Sequence, residues 1–539
     1  MRSPYCCCRH RFSPLTALFR RALQAESNIA YLQRFDLEKK IAEVVAATLK
    51  ERPADPFTFI ANYLLKASKM ETPENEKFTA LWPSYEQKMT ADGMNSAAQN
   101  AFKYNFKVLT SGADLMIPES SIEPVDSLPD YAALTAENPA LLESCVMVKL
   151  NGGLGTGMGL EKAKSLLDLK QGKTFLDFIA LQVEQMRDVY KKPLAFMLMN
   201  SFATSADTLE YLAKYPTLQS EGLPLEFQQN KAPKITKDDL TPASWPAKPE
   251  CEWCPPGHGD LYPAMVGTGT LDALLAKGYK YMFVSNSDNL GATMDLKLLT
   301  WFAASGSPFA MECAERTDAD KKGGHLAKAK GGGLLLREAA QCPDADEKEF
   351  QNVGKYKFFN TNNLWVNLEE LKAAFTKFDG ALPLPVIKNG KTVDPRDKAS
   401  TKVLQLETAM GSAISAFPTA AAILIPRTRF APVKTTADML ALMSDAYEVT
   451  TDLRMVLREE CKGVPPTIKL DDAYKFVDQL KKLVPGAPPS LIKCKKLTVE
   501  GANIEMEDGV VIEGSVKITN ASGEPKKLTA GTYSSDVAL

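Results

Sequence analysis

The chain has 539 residues, 45% hydrophobic and 24% charged, with Lys plus Arg at 64 against Asp plus Glu at 66 for a formal net charge of −2. That balance excludes a globally basic nucleic-acid binder, and no apolar run approaches the roughly 18–20 residues of a membrane-crossing helix. Ten cysteines are too sparse for a disulfide framework and fit a reducing compartment, while the length leaves room for about three domains.

Residues 1–27 form a basic leader, with Arg2, Arg9, Arg11, Arg20 and Arg21 and no acidic residue before Glu26. An organelle transit peptide and a disordered leader both fit, and Cys6, Cys7 and Cys8 read as a reduced cluster rather than a lipidation site. Over 28–70 the spacing predicts two short helices. Leu37, Ile41, Val44, Val45 and Leu49 form one apolar stripe, and Phe57, Ile60, Leu64 and Ala67 another. Asp55 is a good N-cap and Pro56 suits the first turn between them. Helices this short cannot bury both faces alone, and pairing with a second copy into a four-helix bundle would do so. Tyr31-Leu32, Arg52-Pro53-Ala54-Asp55-Pro56 and Ile60 to Lys66 give this segment a resemblance to the "dumpy" dimerisation and docking motif. It departs from that motif in lacking a proline in the first helix. The resemblance implies a homodimer whose groove takes an amphipathic helix of an anchoring protein.

Residues 71–95 read as a polar linker and 96–143 as mostly helical. From 144 to 440, strands alternate with helices: Val146 to Leu150, Phe175 to Arg187, Leu194 to Met199, Leu271 to Leu275, Tyr281 to Val284. Such alternation argues for a parallel sheet covered by helices. Over 441–524, short strands such as Leu497 to Val499, Val510 to Ile512 and Val516 to Ile518 lie between glycine turns at Gly501, Gly509 and Gly514. They fit either a small β-solenoid or an antiparallel sheet. Residues 525–539 are expected to be a disordered tail.

The central motif is Lys149-Leu150-Asn151-Gly152-Gly153-Leu154-Gly155-Thr156-Gly157-Met158-Gly159. It follows a strand and precedes a stretch with Lys162 and Lys164, expected to be helical. Five glycines in eight residues let backbone N–H groups approach an anion without Cβ obstruction, and a helix N-terminus would add its dipole. The loop lacks the closing Gly-Lys-Ser/Thr of a P-loop and the third glycine of a dinucleotide fingerprint. Phosphate binding is the expectation.

The string from Lys149 to Leu167 closely resembles the nucleotide loop of eukaryotic UTP–glucose-1-phosphate uridylyltransferases (UDP-glucose pyrophosphorylases). Phe227 to Asn230, Trp253 to Asp260, Val284 to Gly291, Lys322 to His325, Phe359 to Trp365, Gln405 to Gly411 and Arg429 to Lys434 follow in family order. The resemblance spans roughly residues 100–520. It implies an α/β, Rossmann-like nucleotidyltransferase fold with a glycosyltransferase-A-like mixed sheet, here with an N-terminal helical docking pair and a C-terminal β-solenoid-like domain. It implies UTP and glucose 1-phosphate as substrates and Mg²⁺ as cofactor.

The resemblance also assigns roles. Lys164, Lys434 and Asp288 would be catalytic, the lysines neutralising phosphate charge and Asp288 holding the metal. Leu150, Asn151, Gly152, Gly153, Gln229, Gly257 and Asp288 would hold the nucleotide, with Gln229 and Gly257 on the uracil. His258, Asn286, Ser287 and Asn362 would face the sugar phosphate. The C-x-x-C of Cys251 and Cys254 and the run Asp318, Asp320, Lys321 and Lys322 are read as bystanders, the run as a solvated loop. Competing readings are a scaffold that has lost activity and an enzyme of broader sugar specificity. A cytoplasmic location is expected, anchored at a cilium or similar assembly if the docking pair works, with organelle targeting as the alternative.

Overall fold

The computed structural model describes residues 76–539, together with Val45 and Thr48, both helical. The leader 1–27 with its cysteine triplet and the docking pair 28–70, those two residues apart, lie outside the described residues. Met1–Lys77 and Phe78–Leu539 are separate compact units. The linker expected at 71–95 is overturned where it is described, since α1 spans Glu76–Ala91. Phe78, Trp82, Tyr85 and Met89 recur at helical spacing among charged residues, and all are buried. α2 (Ser96–Thr110) starts at Asn95, whose side chain accepts from Ala98 N–H at 2.9 Å. Tyr85 and Phe106 join the two helices, with ring centroids 4.5 Å apart.

The core of the second unit is a ten-stranded sheet. β1 (Cys145–Asn151), β2 (Ala195–Asn200), β3 (Glu226–Gln228) and β4 (Tyr281–Asn286) are its parallel part, in spatial order β4-β1-β2-β3. β1 and β2 are apolar almost throughout because layers cover both faces, among them α3 (Phe175–Tyr190) on one. The other part comprises β5 (Phe309–Glu315), β6 (His325–Ala329), β7 (Phe358–Asn367) and β8 (Ala421–Leu424). β7 runs antiparallel to β4, β5 and β6, so the sheet is mixed, as the family resemblance implies, where strand–helix alternation alone points only to its parallel part. Alternation reports only local order, and β5, β6 and β7 follow one another without long crossover helices. A bulge opposite Glu312/Cys313 puts Asn362 at φ 57°, turning it out of the ladder.

Beyond α4 (Thr436–Met443), which straddles the expected 440/441 boundary, an antiparallel pair (Tyr447–Val449 with Met455–Leu457) precedes a series of parallel ladders. Thr467–Leu470, Cys494–Glu500, Gly514–Thr519 and Val537–Ala538 form one; Ile504–Met506 pairs with Lys526–Leu528, and Val510–Ile512 with Gly531–Tyr533. The tail expected to be disordered over 525–539 therefore supplies three strands. Its composition is polar, and its order comes from partners one turn of chain upstream, which local composition does not reveal. Leu528 is 1% exposed within the main core cluster. Leu528→Ala should lower unfolding stability by about 2–5 kcal/mol in urea titration; a change within error would mean that the tail is not packed.

Candidate active site

Four loops leave the carboxyl edge of four neighbouring parallel strands. Gly152 and Gly153 follow β1, Ser201 follows β2, Gln229 follows β3 and Asp288 follows β4. This edge is where open α/β sheets hold ligands, because loops on it converge while strand backbones stay paired. The glycine loop does not run into a helix as expected. Thr156–Met158 and Lys164–Leu166 are single 3-10 turns, and the next α-helix is α3. The loop instead closes on itself, Lys164 N–H donating to Gly153 C=O at 3.2 Å, a bond that the following stretch would have to give up to continue as a helix. No α-helix N-terminus therefore lies at the loop.

Lys164 is the centre. Its ammonium pairs with Asp288 Oδ2 at 2.7 Å and donates to Val433 C=O. Asp288 C=O in turn accepts from Val433 N–H at 3.1 Å, and Asn289 bridges Pro432. The segment carrying Lys434 is thus zipped onto the Asp288 turn. Lys434 itself is exposed, while its backbone N–H donates to Asp438 in the cap of α4. Asp288 Oδ1 is buried without a hydrogen-bond partner.

Leu150 and Asn151 are less available than expected. Leu150 C=O accepts from Ser287 N–H at 3.1 Å. The Asn151 side chain is buried, donating to Asn200 and Thr208 and accepting from Ser165 and Ser287. Both hold the strand ends in register, and Ser287 is tied to them. Gly152 lies under Gln229, where a Cβ would come within 2.7 Å of the amide oxygen. Gln229 Nε2 donates to Gly257 C=O at 2.9 Å. Gly257, at φ 83°, presses on the Thr408 backbone, and a Cβ there would meet Thr408 C=O at 2.5 Å. Gly152, Gln229 and Gly257 therefore form one continuous wall.

His258 Nδ1 accepts from Met410 N–H at 3.0 Å, so the ring proton sits on Nε2. Burial, aided by the charge of Lys434, pushes its pKa down to about 4. Asn286 ends β4 and Asn362 sits on the β7 bulge, its Oδ1 accepting from Asn360 at 3.0 Å. Motif reading missed Glu338, which is hydrogen-bonded to Asn360; burial raises its carboxyl and the Lys434 charge opposes that. It also missed Lys149, wholly buried beneath the Asp288 turn and donating to Ser285 and Ala292. Lys149 stood in the glycine motif and was legible there; Glu338 carries no local signal. Cys251 and Cys254 are buried free thiols, and Cys254 faces Ala232 C=O. Asp320 caps a short turn and pairs with Arg427.

A mixed sheet with a self-closed glycine loop, a lysine–carboxylate pair and a second lysine brought in from afar defines an α/β enzyme that handles phosphate groups. The profile of the family described as UTP–glucose-1-phosphate uridylyltransferase matches residues 99–513. The Solanum tuberosum UTP–glucose-1-phosphate uridylyltransferase is 38% identical over 433 residues, covering 79% of this chain and 86% of its own. A solved Leishmania major UDP-glucose pyrophosphorylase variant in complex with UDP-glucose is similar at 48% identity and TM-score 0.80, over 85% of this chain and 98% of that one. A Trypanosoma brucei structure described as UDP-glucose phosphorylase matches at 49% identity and TM-score 0.78, over 85% and 99%. The chain belongs to the UTP–glucose-1-phosphate uridylyltransferase family.

The depressed His258 has a stability consequence. Between the ordinary 6.5 and about 4 the unfolded chain takes up a proton there that the folded protein refuses, so stability falls as pH drops through that window and is flat above it. His258→Gln should flatten that fall in urea titrations from pH 7 to pH 4. An unchanged slope would show the ring to be charged when folded.

Proposed function

We propose that the chain transfers the uridylyl group of UTP to glucose 1-phosphate, giving UDP-glucose and pyrophosphate. An oxygen of the sugar phosphate bonds to the α-phosphorus, and the bond from that phosphorus to the β-phosphate oxygen breaks. The attacking oxygen is already anionic, so no enzyme nucleophile is required; the obstacle is bringing two polyanions together. The observation that carries this reading is the Lys164–Asp288 pair at the mouth of the glycine loop, with Lys434 zipped alongside.

In this reading Lys164 and Lys434 neutralise phosphate charge from two sides. Gly152 and Gly153 present backbone N–H groups, while Leu150 and Asn151 hold that loop in place. Gln229, with the Gly257 backbone, reads the uracil edge. Neutral His258 offers its Nε2–H to the sugar phosphate. Asn286, Ser287, Asn362 and Glu338 line the sugar side. The open oxygen of Asp288 fits Mg²⁺. Among the described residues no three His, Cys, Asp or Glu side chains cluster, which suits an ion completed by phosphates and water. When bound, Mg²⁺ would screen the phosphate charge.

We further read the parallel ladders after residue 460 as a β-solenoid-like domain, which their uniformly parallel pairing supports. Residues 28–70 are read as the docking pair, making a homodimer that holds an amphipathic helix of an anchoring protein in the cytoplasm. Deleting residues 1–72 should reduce the particle size from dimer to monomer in light scattering without abolishing turnover. An unchanged size would remove the docking reading.

The enzymatic reading is tested by pyrophosphate release with UTP, Mg²⁺ and a panel of sugar 1-phosphates. Glucose 1-phosphate should be the preferred acceptor, and Lys164→Met and Asp288→Asn should each lower kcat by about 10²–10³-fold. Wild-type rates in both variants would overturn the assignment; no turnover of the intact chain with any sugar would favour a scaffold.

A further inference from the structure

Behind the Gln229 wall lies a relay of polar groups whose direction is fixed at every step. Ala98 N–H donates to Asn95 Oδ1 at 2.9 Å, which leaves the Asn95 amide nitrogen to donate to Asn230 Oδ1 at 2.9 Å. That in turn leaves Asn230 Nδ2 to donate to Asp260 Oδ1 at 3.0 Å, while Asn230 N–H donates to Asp260 Oδ2 at 2.6 Å. A backbone N–H starts the relay, so no amide in it can flip without opposing two donors or two acceptors. Asp260 ends the relay: its two oxygens each accept one N–H group of Asn230, whereas an Asn there would turn an amino group toward one of those donors.

The cost of this arrangement suggests a purpose. Asp260 is 3% exposed, and among the described residues it has no cationic partner. Burial raises its carboxyl to about 7 against the pull of the Asn230 hydrogen bonds. It begins a seven-residue helix, Leu261–Gly267, without capping it by its side chain. An uncompensated buried carboxylate is expensive, and helix entry does not use it. What it does hold is the residue after Gln229, and its own N–H donates to Gly257 C=O at 3.2 Å, the same carbonyl that receives Gln229 Nε2. The clamp therefore bears on both Gln229 and Gly257, the two hydrogen-bonded members of the wall that a base would face. Asn95 is itself lodged against Gly267, where a Cβ would come within 2.2 Å of its amide oxygen. The start of α2 is thereby part of the same support.

We propose that Asp260 is a positioning residue for base selection: through Asn230 it sets the orientation in which the Gln229 amide meets the pyrimidine edge, and so separates a uridine from a cytidine triphosphate. This rests on the reading of Gln229 as the uracil-facing group. Uracil presents an N–H donor beside a carbonyl acceptor, whereas cytosine presents an acceptor beside an amino donor. A side-chain amide held in one orientation accepts one pattern and opposes the other; an amide free to rotate accepts both.

The test uses the full chain with glucose 1-phosphate, measuring kcat and KM for UTP and CTP. Asp260→Asn should raise KM for UTP by about tenfold and lower the UTP-over-CTP preference by a similar factor, with a much smaller change in kcat. The double variant Asp260→Asn with Asn230→Asp exchanges donor and acceptor across the same contact and should restore much of the preference. A lowered melting temperature with KM and preference unchanged would reduce Asp260 to a structural residue and overturn the proposal. Should Asp260→Asn fail to fold, Asn95→Ser keeps the helix cap but removes the amide donor. A fall of about threefold in preference is expected from it, and no fall would likewise overturn the relay. Gln229→Ala separates the two layers: if it leaves the preference intact, the base-reading role of Gln229 fails, whereas a lost preference there with none lost in Asp260→Asn defeats the Asp260 proposal alone.

Discussion

Glu312 and Arg429 form an ion pair sealed inside the sheet, and the position of the second lysine depends on it. Glu312 is wholly buried on β5; its oxygens accept from Arg429 Nε and Nη2 at 2.9 Å each, from Trp365 at 3.0 Å and from Asn363 at 3.1 Å. Every acceptor direction is used, so the desolvation of the carboxylate is compensated. Neither charge can be withdrawn without stranding the other, at about 3–5 kcal/mol. Arg429 is therefore pinned, and its carbonyl receives Asn289 and Asn363. Five residues on, the chain has no choice but to pass over the Asp288 turn, where Lys434 follows Val433.

The same logic explains why Lys164 sits on Asp288. The Asp288 carboxylate and the Val433 carbonyl hold its ammonium at the mouth of the loop. In the proposed reaction a polyanion would exchange places with these acceptors, so the charge is already positioned. Beneath them, Lys149 bonds only to neutral oxygens, and burial lowers its pKa to about 7. Its charge is felt by Asp288 without contact, a background field under the turn.

The C-terminal ladders are not an appendage. One core cluster runs from Met147 and Phe283 in the sheet through Leu440 to Val510 and Leu528. Gly159 of the nucleotide loop, at φ 75°, lies against Phe476, where a Cβ would meet the ring at 2.9 Å. The loop expected to hold phosphate is therefore backed by a residue more than three hundred positions later in sequence.

The sequence by itself determined the strands with unbroken apolar runs, the helix from Phe175 and the glycine loop, because each is written in neighbouring residues: periodicity, caps and the absence of Cβ atoms. It also placed Lys164, Gln229, His258, Asp288 and Lys434 in recognisable strings. Local composition misled at 76–91, where charged residues hide an aromatic stripe, and at 525–539, where order comes from parallel partners upstream. The helix expected after Gly159 is absent because Lys164 N–H is drawn back to Gly153 C=O, which leaves only a 3-10 turn over Lys164–Leu166. Only the tertiary structure decided that Glu312 would capture Arg429, and that Asn95, Asn230 and Asp260 would line up into one relay. Those outcomes depend on burial, which sets the cost of an unpaired charge or amide, and burial is a property of the assembled layers rather than of any stretch of chain.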